Sequence, residues 1–176
     1  MQVKPKKCRN CGEKFLPNKT TQVCCSFQCA LNLGRKKVIE DGFKDLKEKV
    51  KTLSQYEAEA KTVFQKWVRL RDKDKPCISC GVTASSVWDG GHFKKAEIYS
   101  GVIFNELNTN LQCGKCNRYL GGNELNYRVG LICKIGLEAV EQLEQLANET
   151  RKYKYTKDEL IEIKKTYQTK IKQLTK

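Results

Sequence analysis

Apolar residues recur at helical spacing in two long, highly charged parts of the chain, residues 34–75 and 134–176. Such spacing keeps one face of a helix apolar. Thr156 and Glu159 form a capping-box pattern that marks the start of the last helix. We therefore predict long amphipathic helices on both sides of a central region. The stripes consist of Leu46, Val50, Leu53, Ala60, Phe64, Trp67 and Leu70 on one side, and of Leu137, Val140, Leu143, Leu146, Leu160, Ile163, Tyr167, Ile171 and Leu174 on the other.

The central region, residues 76–133, has a different pattern. It is rich in turn signals such as Asp89-Gly90-Gly91 and contains short apolar runs, of which residues 101–104 are strand-like. This favours a small β-hairpin followed by a helix that begins near Cys116. Cys133, in an apolar run, is predicted to be a small core residue.

The first 33 residues are cysteine-rich and too short to build a self-sufficient core, so a metal must supply much of their folding energy. The chain thus divides into residues 1–33, a zinc knuckle; 34–75, a charged amphipathic helix; 76–133, a core; and 134–176, a helical region. We predict a small, zinc-stabilised α+β fold with flanking long helices.

The chain has ten cysteines, eight of which are expected to bind metal. No apolar run follows the basic N-terminus and none is long enough to cross a membrane, so we expect a reducing compartment, in which paired CxxC motifs indicate zinc rather than disulfides. Four thiolates suit tetrahedral zinc. The first site would use Cys8, Cys11, Cys29 and either Cys24 or Cys25, with Cys25 favoured by its spacing from Cys29; the second would use Cys77, Cys80, Cys113 and Cys116.

The charge balance indicates the kind of partner. Lys plus Arg number 34 and Asp plus Glu number 20, which gives a formal net charge of +14. A surplus of this size favours a polyanion, and nucleic acid is the first candidate, although an anionic membrane surface would fit charge alone equally well.

The single histidine, His92, lies between the two CxxC pairs of the central region. Phosphodiester hydrolysis needs an activated water, for which a histidine is a suitable base because its pKa lies near neutrality. It also needs a divalent cation, which carboxylate and amide oxygens can hold. The alternatives for His92 are a packed core histidine and a zinc ligand, although four cysteines already satisfy the nearby zinc.

These residues carry a family resemblance. The pairs Cys77/Cys80 and Cys113/Cys116, the stretch Asp89-Gly-Gly-His92-Phe93, Asn108, and Asn117 directly after Cys116 resemble the HNH (ββα-metal) endonucleases. Within these, the chain resembles the lambdoid phage NinG, or Rap, recombination nucleases. The stretches that add to this likeness are residues 69–72, 117–123 and 127–128.

The resemblance implies an endonuclease, encoded by a phage or prophage and acting in the bacterial cytoplasm, that cuts branched DNA such as Holliday junctions and D-loops. His92 would be the general base, Asn108 would orient it through a side-chain hydrogen bond, and Asn117 would hold a catalytic magnesium or manganese ion. Asn110 is a rival for the orienting role. The cut would leave a 5′-phosphate.

One departure from the HNH pattern concerns the metal-binding aspartate, which many of these enzymes place directly before the histidine. That position is Gly91 here, so Asp89 would have to reach the metal round a glycine-rich bend; the alternative is a turn-forming aspartate. Expected phosphate contacts are Lys94, Lys95, Lys115, Arg118 and Arg128.

Two further expectations follow. A symmetric junction needs two cuts, so a homodimer is expected, with the apolar stripes at residues 46–70 or 160–174 as its interface. The competing functional hypotheses are a non-catalytic zinc-ribbon protein that binds nucleic acid and, more weakly, an RNA-modifying or tRNA-binding protein. Neither needs a histidine with asparagines at these offsets.

Overall fold

The computed structural model describes residues 4–175 and, within them, every side chain except those at 47 and 49. The first three residues of the predicted knuckle segment and the last residue of the predicted helical segment lie outside the described residues. The chain divides after Lys51 into two compact units, each of which is described by itself. The fold is small and of the α+β type.

The first unit is built around cysteines and one long helix. Strands β1 (Lys6–Lys7) and β2 (Lys14–Phe15) pair antiparallel, and helix α1 (Phe27–Lys49) follows. Ser26 caps α1, since its hydroxyl accepts a hydrogen bond from the Cys29 amide at 3.1 Å. The helix therefore begins inside the segment that composition assigned to the knuckle.

The predicted helix of residues 34–75 is two helices. After α1 ends, α2 (Leu53–Arg71) begins at a capping box in which Thr52 and Gln55 satisfy each other's backbone amides. This Thr-x-x-Gln pattern is visible in the sequence, but an uninterrupted apolar stripe conceals it. Four free amides at a new helix start need such partners, and the break occurs where they are available.

The main core of the second unit forms between α2 and α5 (Lys157–Leu174). Phe64 and Tyr167 pack edge to face with ring centroids 4.7 Å apart. The buried residues of this cluster are Tyr56, Ala60, Phe64, Trp67, Val68, Ile103, Phe104, Leu160 and Tyr167. The stripes expected to form a dimer interface thus pack mainly on each other. Leu46, Val50, Leu53 and Leu174 are the exceptions and remain exposed.

A two-stranded hairpin occupies the centre of the second unit. Strands β3 (Trp88–His92) and β4 (Thr109–Cys113) pair antiparallel, with Trp88 opposite Cys113 and His92 opposite Thr109. A single π-helical turn (Lys115–Tyr119) and helices α3 (Glu124–Ile135) and α4 (Leu137–Glu149) follow. No helix in the described part of the chain is long and apolar enough to span a bilayer.

Two expectations for the central region are wrong. Residues 101–104 form no strand: Ser100–Val102 is a 3-10 turn, and Val102 and Ile103 are buried in different clusters. A short apolar run has too little periodicity to separate these alternatives. Cys133 is exposed rather than part of the core, because α3 turns Tyr127 and Leu131 inward instead.

A buried ion pair joins the end of α2 to the hairpin. The Arg71 guanidinium donates to the carbonyls of Thr109, at 2.8 Å, and Glu106, at 3.1 Å. Its partner Asp72 is 1% exposed and accepts from the backbone amide of Leu111 at 3.3 Å. Burial alone would raise the pKa of Asp72, but hydrogen bonds from Arg71 and Lys75 outweigh it and lower that pKa to about 2. Asp72 is therefore ionised at neutral pH and fixes α2 against β4.

Replacing this carboxylate should weaken the second unit. We expect Asp72→Asn to lower the free energy of unfolding by about 3 kcal/mol, because the Arg71 guanidinium is left without its buried counter-charge. Urea denaturation of the zinc-loaded protein measures the change, and the exposed neighbour Asp74→Asn is the matched control. Equal unfolding midpoints for both variants and the unaltered protein would contradict this role of Asp72.

Candidate functional site

The second cysteine tetrad closes one end of the hairpin. Cys77, Cys80, Cys113 and Cys116 place their sulfurs within 4.8 Å of one another, and the Sγ atoms of Cys80 and Cys113 are 3.7 Å apart. Tetrahedral zinc, with Zn–S bonds of about 2.3 Å, holds its sulfurs about 3.8 Å apart. The Cys113 amide donates to the Cys77 sulfur at 3.3 Å. Despite the opposing effect of burial, such backbone donors lower the pKa of Cys77, which favours the thiolate that zinc binds.

The first tetrad has the same character. It consists of Cys8, Cys11, Cys25 and Cys29, again with all four sulfurs within 4.8 Å of one another. The Cys25 sulfur lies 3.6 Å from those of Cys11 and Cys29, and Cys24, although buried, is not in the group. Backbone amides, first that of Cys11 and then that of Cys25, lower the pKa of Cys8 to about 5. Both tetrads can therefore hold a metal ion, and their donor sets suit zinc.

The two CxxC turns that open these tetrads have the same local fold. Gly12 follows Cys11 with φ at 79°, and Gly81 follows Cys80 with φ at 71°. Each glycine amide donates to the carbonyl of the first cysteine of its motif, at 2.9 Å for Cys8 and 2.8 Å for Cys77. A residue with a side chain is strained at such φ values, so the glycine allows the turn to close. The pattern Cys-x-x-Cys-Gly is the sequence signal for it.

The carboxylate of Asp89 meets the π turn that follows the zinc cysteines. Asn117, one residue after Cys116, donates its side-chain amide to Asp89 at 3.0 Å. Arg118 holds the same carboxylate with two hydrogen bonds of 2.7 Å. The Arg118 guanidinium, more than the Asn117 amide, holds the pKa of Asp89 below its ordinary value. Asp89 needs no glycine bend to reach Asn117, since residues 88–92 form a regular strand and not a turn.

His92 lies at the opposite end of the same strand. Its Nε2 atom is 3.0 Å from the carbonyl oxygen of Ile103. Because a carbonyl only accepts, Nε2 carries the proton and Nδ1 keeps its lone pair. Burial lowers the pKa of His92 below its ordinary value of 6.5, against a smaller opposing effect of the Ile103 hydrogen bond. The ring is therefore neutral at pH 7 and can accept a proton at Nδ1.

Asn108 acts on the backbone around His92 and not on the imidazole itself. Its side-chain oxygen accepts from the Lys94 amide at 2.8 Å, and its amide donates to the carbonyls of Lys94 and Val102 at 3.1 and 3.0 Å. The expected hydrogen bond to His92 is not formed. Instead Asn108 joins the two chain segments that carry His92 and Ile103. Being fully buried, it would be costly to leave unpaired.

The rival asparagine, Asn110, faces α3. Its amide donates to the Tyr127 hydroxyl at 3.1 Å, and that hydroxyl donates to the carbonyl of Gly91 at 2.9 Å. Sequence reasoning gave no role to Tyr127 or to the Ile103 carbonyl. A backbone acceptor has no sequence signature, but a tyrosine at an inward position of α3 is a signal for a buried hydroxyl that needs a partner.

Asp89 and His92 point to opposite faces of β3. Successive side chains of a strand alternate between faces. A Cβ atom added to Gly90 would lie 3.5 Å from the backbone of α2, whereas one added to Gly91 would lie 2.1 Å from the side chain of Gln112 on the other face. His92 therefore shares the α2 face with Gly90, and Asp89 shares the Gln112 face. Their Cα atoms are about 10 Å apart along the strand.

Three of the five residues expected to contact phosphate are engaged in ion pairs. Arg118 binds Asp89, while Lys94 and Arg128 bind Glu144 at 3.2 and 3.0 Å. The other two, Lys95 and Lys115, are exposed and have no ion-pair partner within residues 4–175. The freely available positive charge beside the hairpin is thus smaller than the sequence indicates.

Comparison with known proteins gives the family context. Residues 40–176 match the family model described as Bacteriophage Lambda NinG protein. The chain is 34% identical to protein ninG of Escherichia phage lambda over 99% of this chain and 96% of that protein. It is 32% identical to protein ninG of Salmonella phage P22, with 96% and 93% covered. No solved structure matches the chain.

The geometry of the first tetrad makes a sharp prediction about zinc content. We expect two zinc ions per chain in the unaltered protein and about one in Cys25→Ser, because a tetrad with three thiolates holds zinc much more weakly. Cys24→Ser is the matched control and should keep both ions. Metal analysis after gel filtration measures the stoichiometry. Loss of zinc from the Cys24 variant, with full retention by the Cys25 variant, would show that Cys24 and not Cys25 is the fourth ligand.

Proposed function

The chain belongs to the NinG family of lambdoid phage proteins, and we propose that it is a metal-dependent DNA endonuclease with an HNH (ββα-metal) core. The observation that carries the proposal is the placement of three side chains on the hairpin and the turn after it. Asp89 and Asn117 meet at 3.0 Å on one face of β3, while His92 lies on the other with its tautomer set by Ile103.

The opposite faces agree with the stereochemistry of phosphodiester hydrolysis. In an in-line displacement, the attacking water and the leaving oxygen lie on opposite sides of phosphorus. His92 would take the proton from the water at Nδ1, on the α2 face. Asp89 and Asn117 would act on the other side of a phosphate lying across the edge of β3. The cut would leave a 5′-phosphate.

The oxygens of Asp89 and Asn117 fit a magnesium or manganese ion. Such hard cations accept one or two carboxylates with amide oxygens and waters, and when bound they neutralise charge on the scissile phosphate and the leaving oxygen. Asn117 would turn its amide oxygen toward the cation, and the Arg118 guanidinium would leave the Asp89 carboxylate. Arg118 is about half exposed, so it is free to move to a neighbouring phosphate.

Charge supports a nucleic acid as the substrate, and branched DNA is what the resemblance to recombination nucleases implies. The net charge of +14 favours a polyanion, and Lys95 and Lys115 are available on either side of the hairpin. A four-way junction is symmetric and needs two cuts, so a homodimer remains a prediction. Among the described residues, α1 has exposed apolar side chains on one face, including Phe27, Val38 and Leu46, which such a pairing could bury.

The decisive experiment is cleavage of a labelled four-way junction by zinc-loaded protein with magnesium or manganese. We expect His92→Ala and His92→Gln to cut at least about 100-fold more slowly while binding the junction normally, because general-base catalysis is lost. Glu162→Gln, an exposed change on α5 away from the hairpin, is the matched control.

Two results would overturn the proposal. One is tight binding of the junction with no cutting by the unaltered protein in any divalent metal, which would favour a non-catalytic zinc-ribbon protein. The other is a His92→Ala variant that cuts at the rate of the unaltered protein.

The pKa of His92 gives the pH dependence. A base must be neutral to act, so the single-turnover rate should rise with pH through the pKa of His92 and then level off. Because burial lowers that pKa, the midpoint should lie below 6.5. Rates measured between about pH 5 and pH 8, with zinc content checked at each pH, test this. A midpoint above 6.5 would contradict the burial argument.

A further inference from the structure

Tyr119 has the most exposed side chain among the large apolar residues that the structure describes, with 84% of its surface accessible. The chain has seven tyrosines, and the other six each make a ring contact or a hydroxyl hydrogen bond. Tyr119 makes neither within residues 4–175. Nearly the whole ring is therefore available for contact with a partner.

The turn that carries Tyr119 is held firmly. Gly121, Gly122 and Asn123 have φ values of 58°, 91° and 46°, and backbone hydrogen bonds run from Gly122 to Cys116 and from Asn123 to Leu120. The Gln112 amide donates to the Gly122 carbonyl at 2.6 Å. The side-chain amide of Asn123 donates to the Cys116 sulfur of the second tetrad at 3.4 Å. The ring is therefore presented from a pre-organised turn and not from a loose loop.

The surroundings of the ring indicate what it meets. Lys115 begins the same turn, is exposed and can contact phosphates. Arg118, which precedes the ring, is about half exposed and could do so after leaving the Asp89 carboxylate. Asn117, of the proposed metal site, is two residues away. An aromatic ring among cations is the arrangement that binds unstacked bases of nucleic acids, since the ring stacks on a base while the cations hold the backbone. A protein partner would explain the ring but not the adjoining Lys115, which has no ion-pair partner within residues 4–175.

We propose that Tyr119 stacks on an unpaired or unstacked base at a DNA branch point and thereby directs the proposed active site to branched DNA. The inference rests on the proposed endonuclease function and adds its means of substrate selection. In a continuous duplex the bases are stacked on each other, so the ring has no free base face to cover. At a junction the stack is interrupted, and Tyr119 reaches it while Asn117 and Asp89 lie beside the adjoining phosphates.

The test uses the full zinc-loaded chain without added magnesium or manganese, so that binding is measured apart from cutting. The probes are a four-way junction with 2-aminopurine at the branch point and a linear duplex of the same sequence. We expect Tyr119→Ala to bind the junction about tenfold more weakly and the duplex with unchanged affinity. The change in 2-aminopurine fluorescence that the unaltered protein causes on binding the junction should be absent in this variant. Tyr119→Phe should behave as the unaltered protein, because the ring and not the hydroxyl stacks.

Leu137→Ala, an exposed apolar change at the start of α4, is the matched control and should change nothing. The inference is overturned if Tyr119→Ala keeps the junction preference and the 2-aminopurine signal, or if it weakens junction and duplex binding equally. Cleavage with added metal separates the two proposals. Loss of selectivity in Tyr119→Ala, while the unaltered protein cuts no DNA, would refute the endonuclease alone. Junction cutting with an intact preference in Tyr119→Ala would refute the stacking role alone.

Discussion

The second unit depends on the tetrad of Cys77, Cys80, Cys113 and Cys116, which joins the start of the unit's central region to the end of β4. A hairpin of five-residue strands is marginal by itself. Four thiolates brought within 4.8 Å of one another would repel each other without a cation. A metal ion held there would supply free energy that the hairpin lacks, at the end of the hairpin from which the π turn departs.

The cysteine tetrad positions the candidate site through only a few covalent and hydrogen bonds. Asn117 follows Cys116 directly, so fixing one fixes the position of the other against Asp89. Asn123 returns to the Cys116 sulfur and closes the turn that presents Tyr119. The far end of the hairpin is held differently, by Asn108 across the ends of its loop. The cysteine tetrad and a buried amide thus position the two ends of the hairpin independently.

The sequence allowed the prediction of what local spacing determines. Cysteine spacing predicted both four-cysteine sets, and apolar spacing predicted helices on either side of a small hairpin. The sequence did not reveal the features that depend on residues far away along the chain. The strand-like residues 101–104 became a turn because Val102 and Ile103 are divided between two cores. The partners of Asn108 and His92 are backbone groups, whose positions cannot be predicted from residue types. The ion pairs of Lys94 and Arg128 needed Glu144, which lies in another helix.

The spacing between the Asp89 carboxylate and His92 has a physical explanation in the register of β3. With glycine at position 91, a carboxylate directly before the histidine is missing, and the side chain of Gln112 occupies the space that it would need. Moving the carboxylate two residues back, to Asp89, keeps it on the same face of the strand because side chains alternate. It also brings the carboxylate closer to the zinc end of the hairpin, where Asn117 lies. A carboxylate at position 89 therefore lies on the same face of β3 as one at position 91 would, although it is farther from His92 along the strand.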